Sequence, residues 1–182
     1  KVRPIRNMAG GEDFNEVVFD NVLVPKDRIV GEPGNGWQQV TSELAYERSG
    51  PERFLSSFRV FVELVRICGD NPSPHQAAAI GRIASHFMTL RRMSLSVAGM
   101  LEAGKDVGVE AALVKELGNN FEKVLPEIAR LVVPDLSAVD AERQRLFRET
   151  FEETLMLSPS FTLRGGTREI LRGVIARGLG LR

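Results

Sequence analysis

The sequence contains a single cysteine, Cys68, and only two histidines, His75 and His86. A lone cysteine excludes an intramolecular disulfide and every metal site built from several cysteines, and it suits a reducing compartment. The two histidines have no cluster of further ligands close to them in the sequence. We therefore expect neither a disulfide framework nor a metal site.

The chain also lacks an excess of either charge and lacks any long apolar run. Lys plus Arg and Asp plus Glu number 24 each, so no overall field would attract nucleic acid or an anionic membrane. No apolar run approaches the roughly 20 residues that span a bilayer. The N-terminal "KVRPIRNMAGG" lacks the apolar core of a signal peptide. We expect a cytoplasmic protein without a membrane span and without a nucleic-acid partner.

What is present is a globular composition whose character changes near residue 36. The 182 residues are 43% apolar, which is enough for a core without disulfide staples. Residues 1–35 hold short β-branched runs separated by turn residues, as strands do. From residue 36 to residue 182 the apolar spacing is helical. The sequence thus predicts a short β segment over 1–35, too small to be a domain by itself, and a helical domain over 36–182.

The predicted fold class is mainly α: an up-and-down helical bundle of four to five helices with a short N-terminal β remnant. Pro51 should bend the first helix, and Ser73 and Thr167 are good N-cap residues for two later ones. The predicted helices span residues 37–67, 74–101, 107–132 and 137–157, with a last one after Thr167.

A Glu-Arg pair, Glu47 and Arg48, lies where the apolar stripe of the first helix passes from Leu44 to Leu55. One interpretation is a helix-surface salt bridge that contributes only a fraction of a kcal/mol. The other is a carboxylate facing a partly apolar pocket, where desolvation raises its pKa and the neighbouring cation tempers the rise. Such a carboxylate would suit a general base. Periodicity alone leaves both interpretations open.

The segment "LRGGTREI" places two glycines and Thr167 directly before the last helix. A glycine-rich approach to a helix N-terminus can offer backbone N–H groups to an anion such as phosphate. An ordinary turn followed by a helix cap explains the same residues equally well.

Both ends of the chain resemble one family. "VRPIRNMAGGEDFNEVVFDNVLVPKDRIVGEPGNGW" looks like the end of the middle β-domain and the start of the C-terminal helical domain of flavin-dependent acyl-CoA dehydrogenases. "GGTREILRGVIARGLGL" resembles the closing motif of the same family. The helices between them fit the family's bundle in number and order. The resemblance covers essentially the whole chain, but only the C-terminal half of a typical member.

The resemblance implies FAD as cofactor, an acyl-CoA substrate, and a glutamate that removes the α-proton of the thioester. In many members that glutamate directly precedes the Gly-Thr of the closing motif, where this chain has Gly165. A second branch carries it on the first bundle helix in a Leu-x-x-Glu-Arg context, and here "LAYER" puts Glu47 at that place. Arg48 would orient this base or contact the CoA side. The family's flavin-contacting positions fall on three residues, Gly166, Thr167 and Glu169.

Departures from the family pattern leave the role of the chain open. An Arg-x-x-Phe-Gly segment is expected after the first bundle helix, but this chain offers Arg66 without Phe-Gly. The later glycine-rich motif for the adenine end is absent. One hypothesis is the C-terminal part of an active dehydrogenase, forming a homo- or hetero-oligomer with an electron-transfer flavoprotein as acceptor. The alternative is a non-catalytic or half-site partner subunit of a hetero-oligomer, and a third is a helical interaction module without chemistry.

Overall fold

Residues 1–181, which a computed structural model describes, contain six α-helices and one two-stranded sheet. They form two compact units, one of Lys1–Glu43 and a second that begins at Leu44. The mainly α fold class, a helical bundle preceded in sequence by a short β remnant, is confirmed.

The first unit has no buried core. Its two strands, β1 (Val2–Ile5) and β2 (Phe14–Val17), pair antiparallel through a hairpin. Within residues 1–43, all of which the structure describes, no residue is fully buried. Phe19 is 79% exposed and Leu23 is 95% exposed. Because an isolated two-stranded hairpin is marginally stable at best, these apolar side chains have no adequate partner within their own unit.

The helix predicted over residues 37–67 is two helices, α1 (Gly36–Ser49) and α2 (Phe58–Cys68). A 3₁₀ turn, Pro51–Arg53, lies between them. Gly50 is extended, with φ −63° and ψ 156°, because the residue before a proline is pushed out of the α region. The prediction of one bent helix was therefore wrong, and the chain leaves the helix altogether at this point.

The later helices follow the predicted order. Ser73 is the N-cap expected for the next helix: its side chain accepts from the Gln76 N–H at 3.3 Å, and the Gln76 side chain accepts from the Ser73 N–H at 2.9 Å. One helix starts later than predicted because Asp140 caps it by accepting from the Arg143 N–H. The four helices are α3 (Pro74–Glu102), α4 (Gly108–Val132), α5 (Ala141–Leu157) and α6 (Arg168–Gly178).

Helix α4 is central in the second unit and packs against α2, α3, α5 and α6. Gly118 of α4 permits a close approach by the 3₁₀ turn, since a Cβ at this position would overlap the carbonyl oxygen of Arg53. The turn after α1 is thereby held directly against the middle of α4. The core collects buried apolar side chains from four helices: Val60, Leu64, Ile83, Phe87, Val97, Val114, Phe121, Leu125 and Phe147.

The close approach at Gly118 predicts opposite effects for two Gly→Ala substitutions. Gly118→Ala should destabilise the protein by about 1–3 kcal/mol, because the new methyl group has no room. Gly81→Ala, on an exposed position of α3 with nothing within 4 Å, should stabilise it by up to about 1 kcal/mol through helix propensity. Urea unfolding of both variants measures the difference. Equal effects of the two substitutions would contradict the close approach.

Candidate active site

The site starts with Glu47 in the last turn of α1. Its carboxylate Oε1 accepts a hydrogen bond from the guanidinium of Arg53, and Arg53 Nε donates to the Glu47 carbonyl at 2.9 Å. The Arg53 side chain is only 7% exposed, whereas the Glu47 side chain is 37% exposed. Arg53 therefore binds Glu47 from the protein interior, and part of the Glu47 side chain remains accessible to solvent.

Arg48 connects α1 to the glycine pair before α6. Its Nε donates to the carbonyl of Gly165 at 3.1 Å. Burial lowers the pKa of Arg48, and the charge of Glu47 opposes that shift. Gly165 and Gly166 have φ of 65° and 107°, a left-handed region that favours glycine. The structure thus brings Glu47 and Arg48 together with Gly165 and Gly166 of the closing motif, which are far away in sequence.

The side-chain space of residue 165 is occupied by neighbours. A Cβ at Gly165 would lie 2.9 Å from Glu47 Oε1 and 3.0 Å from Lys115 Cε. The first distance is shorter than carbon normally approaches oxygen in proteins, so a side chain at 165 would displace the Glu47 carboxylate from its present position. The Glu47 carboxylate consequently lies beside the place where a side chain from residue 165 would begin.

Lys115 of α4 is a component of the site that the sequence analysis missed. It is fully buried, and its Nζ donates to Asn119 Oδ1 at 2.9 Å. Burial and the nearby Arg53 and Arg164 cations lower the pKa of Lys115 to about 8. The charges of Glu122 and Glu47 act in the opposite direction.

A second buried acid, Glu122, links residues 50–57, the segment between α1 and α2, to the segment before α6. Its carboxylate accepts from the Ser56 N–H at 2.6 Å and from Arg164 Nη2 at 3.2 Å. Burial raises the pKa of Glu122, although these partners favour the ionised form. A detectable signal existed in the sequence: Lys115, Asn119 and Glu122 recur at helical spacing on one face of α4.

The N-terminus of α6 carries the other predicted residues. Thr167 is the N-cap residue as predicted, but it makes no side-chain capping bond. Hydrogen bonds from the Glu169 backbone N–H and the Thr167 hydroxyl hold the pKa of Glu169 below its usual value. The Glu169 carboxylate therefore turns back onto its own helix start, where the sequence had suggested that a phosphate could bind. The side chains of Arg48, Ile170 and Leu171 all lie within 4 Å of the place where a Cβ of Gly166 would be.

Helix α6 is fixed to α4 by an ion cluster beside this site. Arg168 Nη2 and Arg172 Nε donate to Glu116 Oε1 at 2.8 Å and 2.9 Å. Burial would raise the pKa of Glu116, but the hydrogen bonds from both arginines outweigh it, and the pKa is lowered. The start of α6 is thereby held in place relative to Lys115, the residue that precedes Glu116.

Two further findings concern residues 1–181. The structure brings no three His, Cys, Asp or Glu side chains of this range together in a way that could bind a metal ion. Among its helices in the same range, none combines the length and the apolar character needed to cross a membrane.

Known proteins resemble this chain in sequence and in fold. No protein-family model matches it. Acyl-CoA dehydrogenase IpdE1 of Mycolicibacterium smegmatis is 28% identical over 187 residues, covering 100% of this chain and 46% of that protein. The Tcur3481–Tcur3483 steroid ACAD structure matches 100% of this chain and 49% of its own, with a TM-score of 0.78 and 21% identity. The ChsE4–ChsE5 complex from Mycobacterium tuberculosis matches 100% and 50%, with a TM-score of 0.73 and 22% identity.

The chain resembles the C-terminal half of an acyl-CoA dehydrogenase. The likeness inferred from its two terminal motifs is confirmed over its full length. It spans about half the length of the curated acyl-CoA dehydrogenase that it matches. Arg66, which lacks the Phe-Gly of the family pattern, donates from its guanidinium to Glu63 of its own helix at 2.7 Å.

The buried Lys115 predicts how stability changes with pH in this acyl-CoA dehydrogenase-like chain. Its pKa is about 8 when folded and about 10.4 in an unfolded chain, so the unfolded state binds more protons in between. The free energy of unfolding should therefore gain a rising contribution from about pH 8 to about pH 10. Lys115→Met should lose that contribution, as urea unfolding at stepped pH would show.

The exposed Lys123 on the same helix provides the control. Lys123→Met removes the same charge but should keep the rise of the wild-type protein. Parallel pH profiles for wild type and Lys115→Met would contradict a depressed lysine pKa.

Proposed function

We propose that the chain is the C-terminal part of a flavin-dependent acyl-CoA dehydrogenase in which Glu47 is the catalytic base. The observation that carries this proposal is the position of the Glu47 carboxylate, whose Oε1 lies 2.9 Å from the place where a Cβ of residue 165 would be. The family resemblance places the base of many members at that residue. A carboxylate on α1 would then act as the base at the same position in space, although it comes from a different point in the chain.

The surroundings of Glu47 suit proton abstraction. The Arg53 guanidinium holds the carboxylate in place, and the second contact of Arg53, to the Glu47 carbonyl, fixes the backbone of the same residue. With 37% of its side chain exposed, Glu47 is accessible to a substrate. The C–H bond at the thioester α-carbon breaks, its proton goes to a Glu47 oxygen, and the electron pair forms the new α,β double bond as hydride leaves the β-carbon.

Arg48 is proposed to hold the closing loop and to contact the substrate side. Its Nε is committed to the Gly165 carbonyl, and its Nη2 lies 3.6 Å from where a Cβ of Gly166 would be. The guanidinium therefore runs alongside both glycines. The remaining N–H donors of this planar group would contact a polar part of an acyl-CoA molecule.

The residues around Gly166 fit the edge of a flavin dinucleotide, as the resemblance implies. Gly166, with φ 107°, carries no side chain of its own, and Thr167 is only partly buried. Glu169 is exposed, so Thr167 and Glu169 can offer polar atoms to a neutral portion of a cofactor. Glu169 would repel a phosphate at the same spot. When bound, FAD would supply the acceptor for the β-hydride.

Assembly with further protein surface is part of the proposal. The first unit exposes large apolar side chains without a core of its own, which supports its packing against other parts of a dehydrogenase. We propose a homo- or hetero-oligomer joined through the helical bundle. An electron-transfer flavoprotein would reoxidise the cofactor, and the cytoplasm would be the compartment.

A second candidate is a half-site or non-catalytic partner subunit in a hetero-oligomeric acyl-CoA dehydrogenase. Two observations favour it: the Phe-Gly that the family resemblance implies after Arg66 is absent, and the ChsE4–ChsE5 match is a complex of two named chains. In this case another chain would provide most of the flavin site.

Glu47→Gln tests the assignment of the base. In the assembled enzyme, turnover of the acyl-CoA substrate should fall by at least about 10²-fold, because the amide cannot accept the α-proton. Flavin content, read from visible absorbance, should stay near normal. Glu43→Gln, one helical turn earlier and exposed, is the matched control and should keep full activity.

The outcomes separate the two candidates. Full turnover of Glu47→Gln would disprove the role of Glu47 as base. Flavin absorbance that appears only when another chain is present would favour the partner-subunit alternative, whatever the effect of the substitution.

A further inference from the structure

A groove between α3 and α4, called the α3–α4 groove below, is lined mainly by apolar side chains. Two cavities of about 330 Å³ and about 200 Å³ lie along it, and Met93 of α3 lines both of them. The groove therefore runs continuously between the two helices. His86 and Ile128 line one end, and Met100 and Glu110 line the other.

The α4 side of this groove carries an apolar stripe that solvent reaches. Leu113, Leu117, Val124 and Ile128 line the groove, and Leu131 continues the same face of the helix. Leu117, Val124 and Leu131 recur at intervals of seven residues and are all exposed. Exposed apolar side chains at this spacing are typical of a helix face that packs against another helix.

The stripe on α4 reads the same in both directions. Leu117 and Val124 lie equally far in sequence from a point just after Asn120. Leu113 and Ile128 also lie equally far from that point. A second α4 that crosses antiparallel at this point would place each member of a pair against the other member in its partner. A two-fold interface between identical chains requires this property, because residue i contacts residue j and residue j contacts residue i.

The charges along the α3–α4 groove also fit a two-fold arrangement. Glu110 lies at one end, beside Arg92. Arg82 lies one turn before His86 on α3, at the other end. Neither Glu110 nor Arg82 forms a salt bridge within residues 1–181. Because a two-fold axis exchanges the ends of the groove, it would bring Glu110 of each copy towards Arg82 of the other.

We propose that the α3–α4 groove is the interface between two copies of this chain, related by a two-fold axis beside Asn120. The exposed stripe of each α4 packs into the groove of the other copy, and the two helix pairs form a four-helix bundle. Asn120 is exposed and lies at the axis, where a polar residue within an apolar seam fixes the register. The inference rests on the proposed function only in its assembly through the helical bundle, and the role of Glu47 does not enter it.

Leu117→Lys tests the interface. Sedimentation velocity over a dilution series of the purified protein measures the dissociation constant of the dimer. The wild-type protein should dimerise, and Leu117→Lys should raise the dissociation constant at least about tenfold, because the new charge would lose its water at an apolar contact. Leu95→Lys is the matched control. Leu95 is 50% exposed, against 48% for Leu117, but it lies outside the groove and should leave the dissociation constant unchanged.

A charge exchange tests the two-fold arrangement itself. Glu110→Arg and Arg82→Glu should each weaken the dimer by about threefold or more, since each places like charges opposite one another at both ends of the groove. The double variant restores opposite charges and should regain most of the lost affinity. Single variants that dimerise as tightly as the wild type would overturn the arrangement. A folded double variant without recovery would overturn it as well.

The remaining outcomes also decide the proposal. A monomeric wild-type protein would overturn it, and so would a dimer that Leu117→Lys leaves intact. A wild-type monomer that binds only a different chain, and loses that chain in Leu117→Lys, would overturn it too, because the groove would then bind a different partner. If Leu117→Lys does not fold, the charge exchange still tests the interface. None of these results bears on Glu47 as base, which the turnover of Glu47→Gln decides separately.

Discussion

The absence of a side chain at Gly165 is the constraint on which the site depends. It leaves room for the Glu47 carboxylate and the Lys115 methylene at the same time, and its left-handed backbone presents the carbonyl that Arg48 binds. A larger residue would have to displace one of these neighbours. The end of α1, the middle of α4 and the start of α6 therefore meet at one residue that contributes only backbone.

The polar face of α4 extends this arrangement into the interior. Lys115 and Glu122 are fully buried. Lys115 lies close to the side-chain space of Gly165, and the Glu122 carboxylate accepts hydrogen bonds from Ser56 and Arg164. A buried polar network of this kind contributes little net stability. It favours a single arrangement of its side chains, because a buried charged group that loses its partner destabilises the folded state strongly. The segment between α1 and α2 is held by the same network, so the position of Glu47 depends on it.

The sequence predicted the parts of the fold that local signals specify. The capping box at Ser73 and the apolar spacing of α3 and α4 located those helices, since both signals act within a few residues. Pro51 was expected to bend a helix, whereas Gly50 and the contact at Gly118 open a full break. The break depends on a contact with α4, which is far away in sequence. The apolar spacing around residue 50 therefore could not reveal it.

The candidate site was predictable only in part for the same reason. Family resemblance indicated Glu47 and the Gly166–Thr167 pair, and their proximity follows from a hydrogen bond between Arg48 and Gly165, 117 residues apart. The spacing of apolar residues could not distinguish a solvated Glu47 carboxylate from one that is hydrogen-bonded by Arg53. Lys115 was missed because a lysine in a helix is normally solvated, and only tertiary packing makes this one buried.

The central claim is that the Glu47 carboxylate performs the task that a side chain at residue 165 performs in related enzymes. The most direct test moves the carboxylate: Glu47→Gly alone and combined with Gly165→Glu, measured as acyl-CoA turnover in flavin-containing protein. The account predicts that the double variant regains at least about tenfold over Glu47→Gly. Recovery should be incomplete, because a left-handed backbone costs a glutamate about 1–2 kcal/mol. A folded double variant with normal flavin content and no gain over Glu47→Gly would contradict the claim.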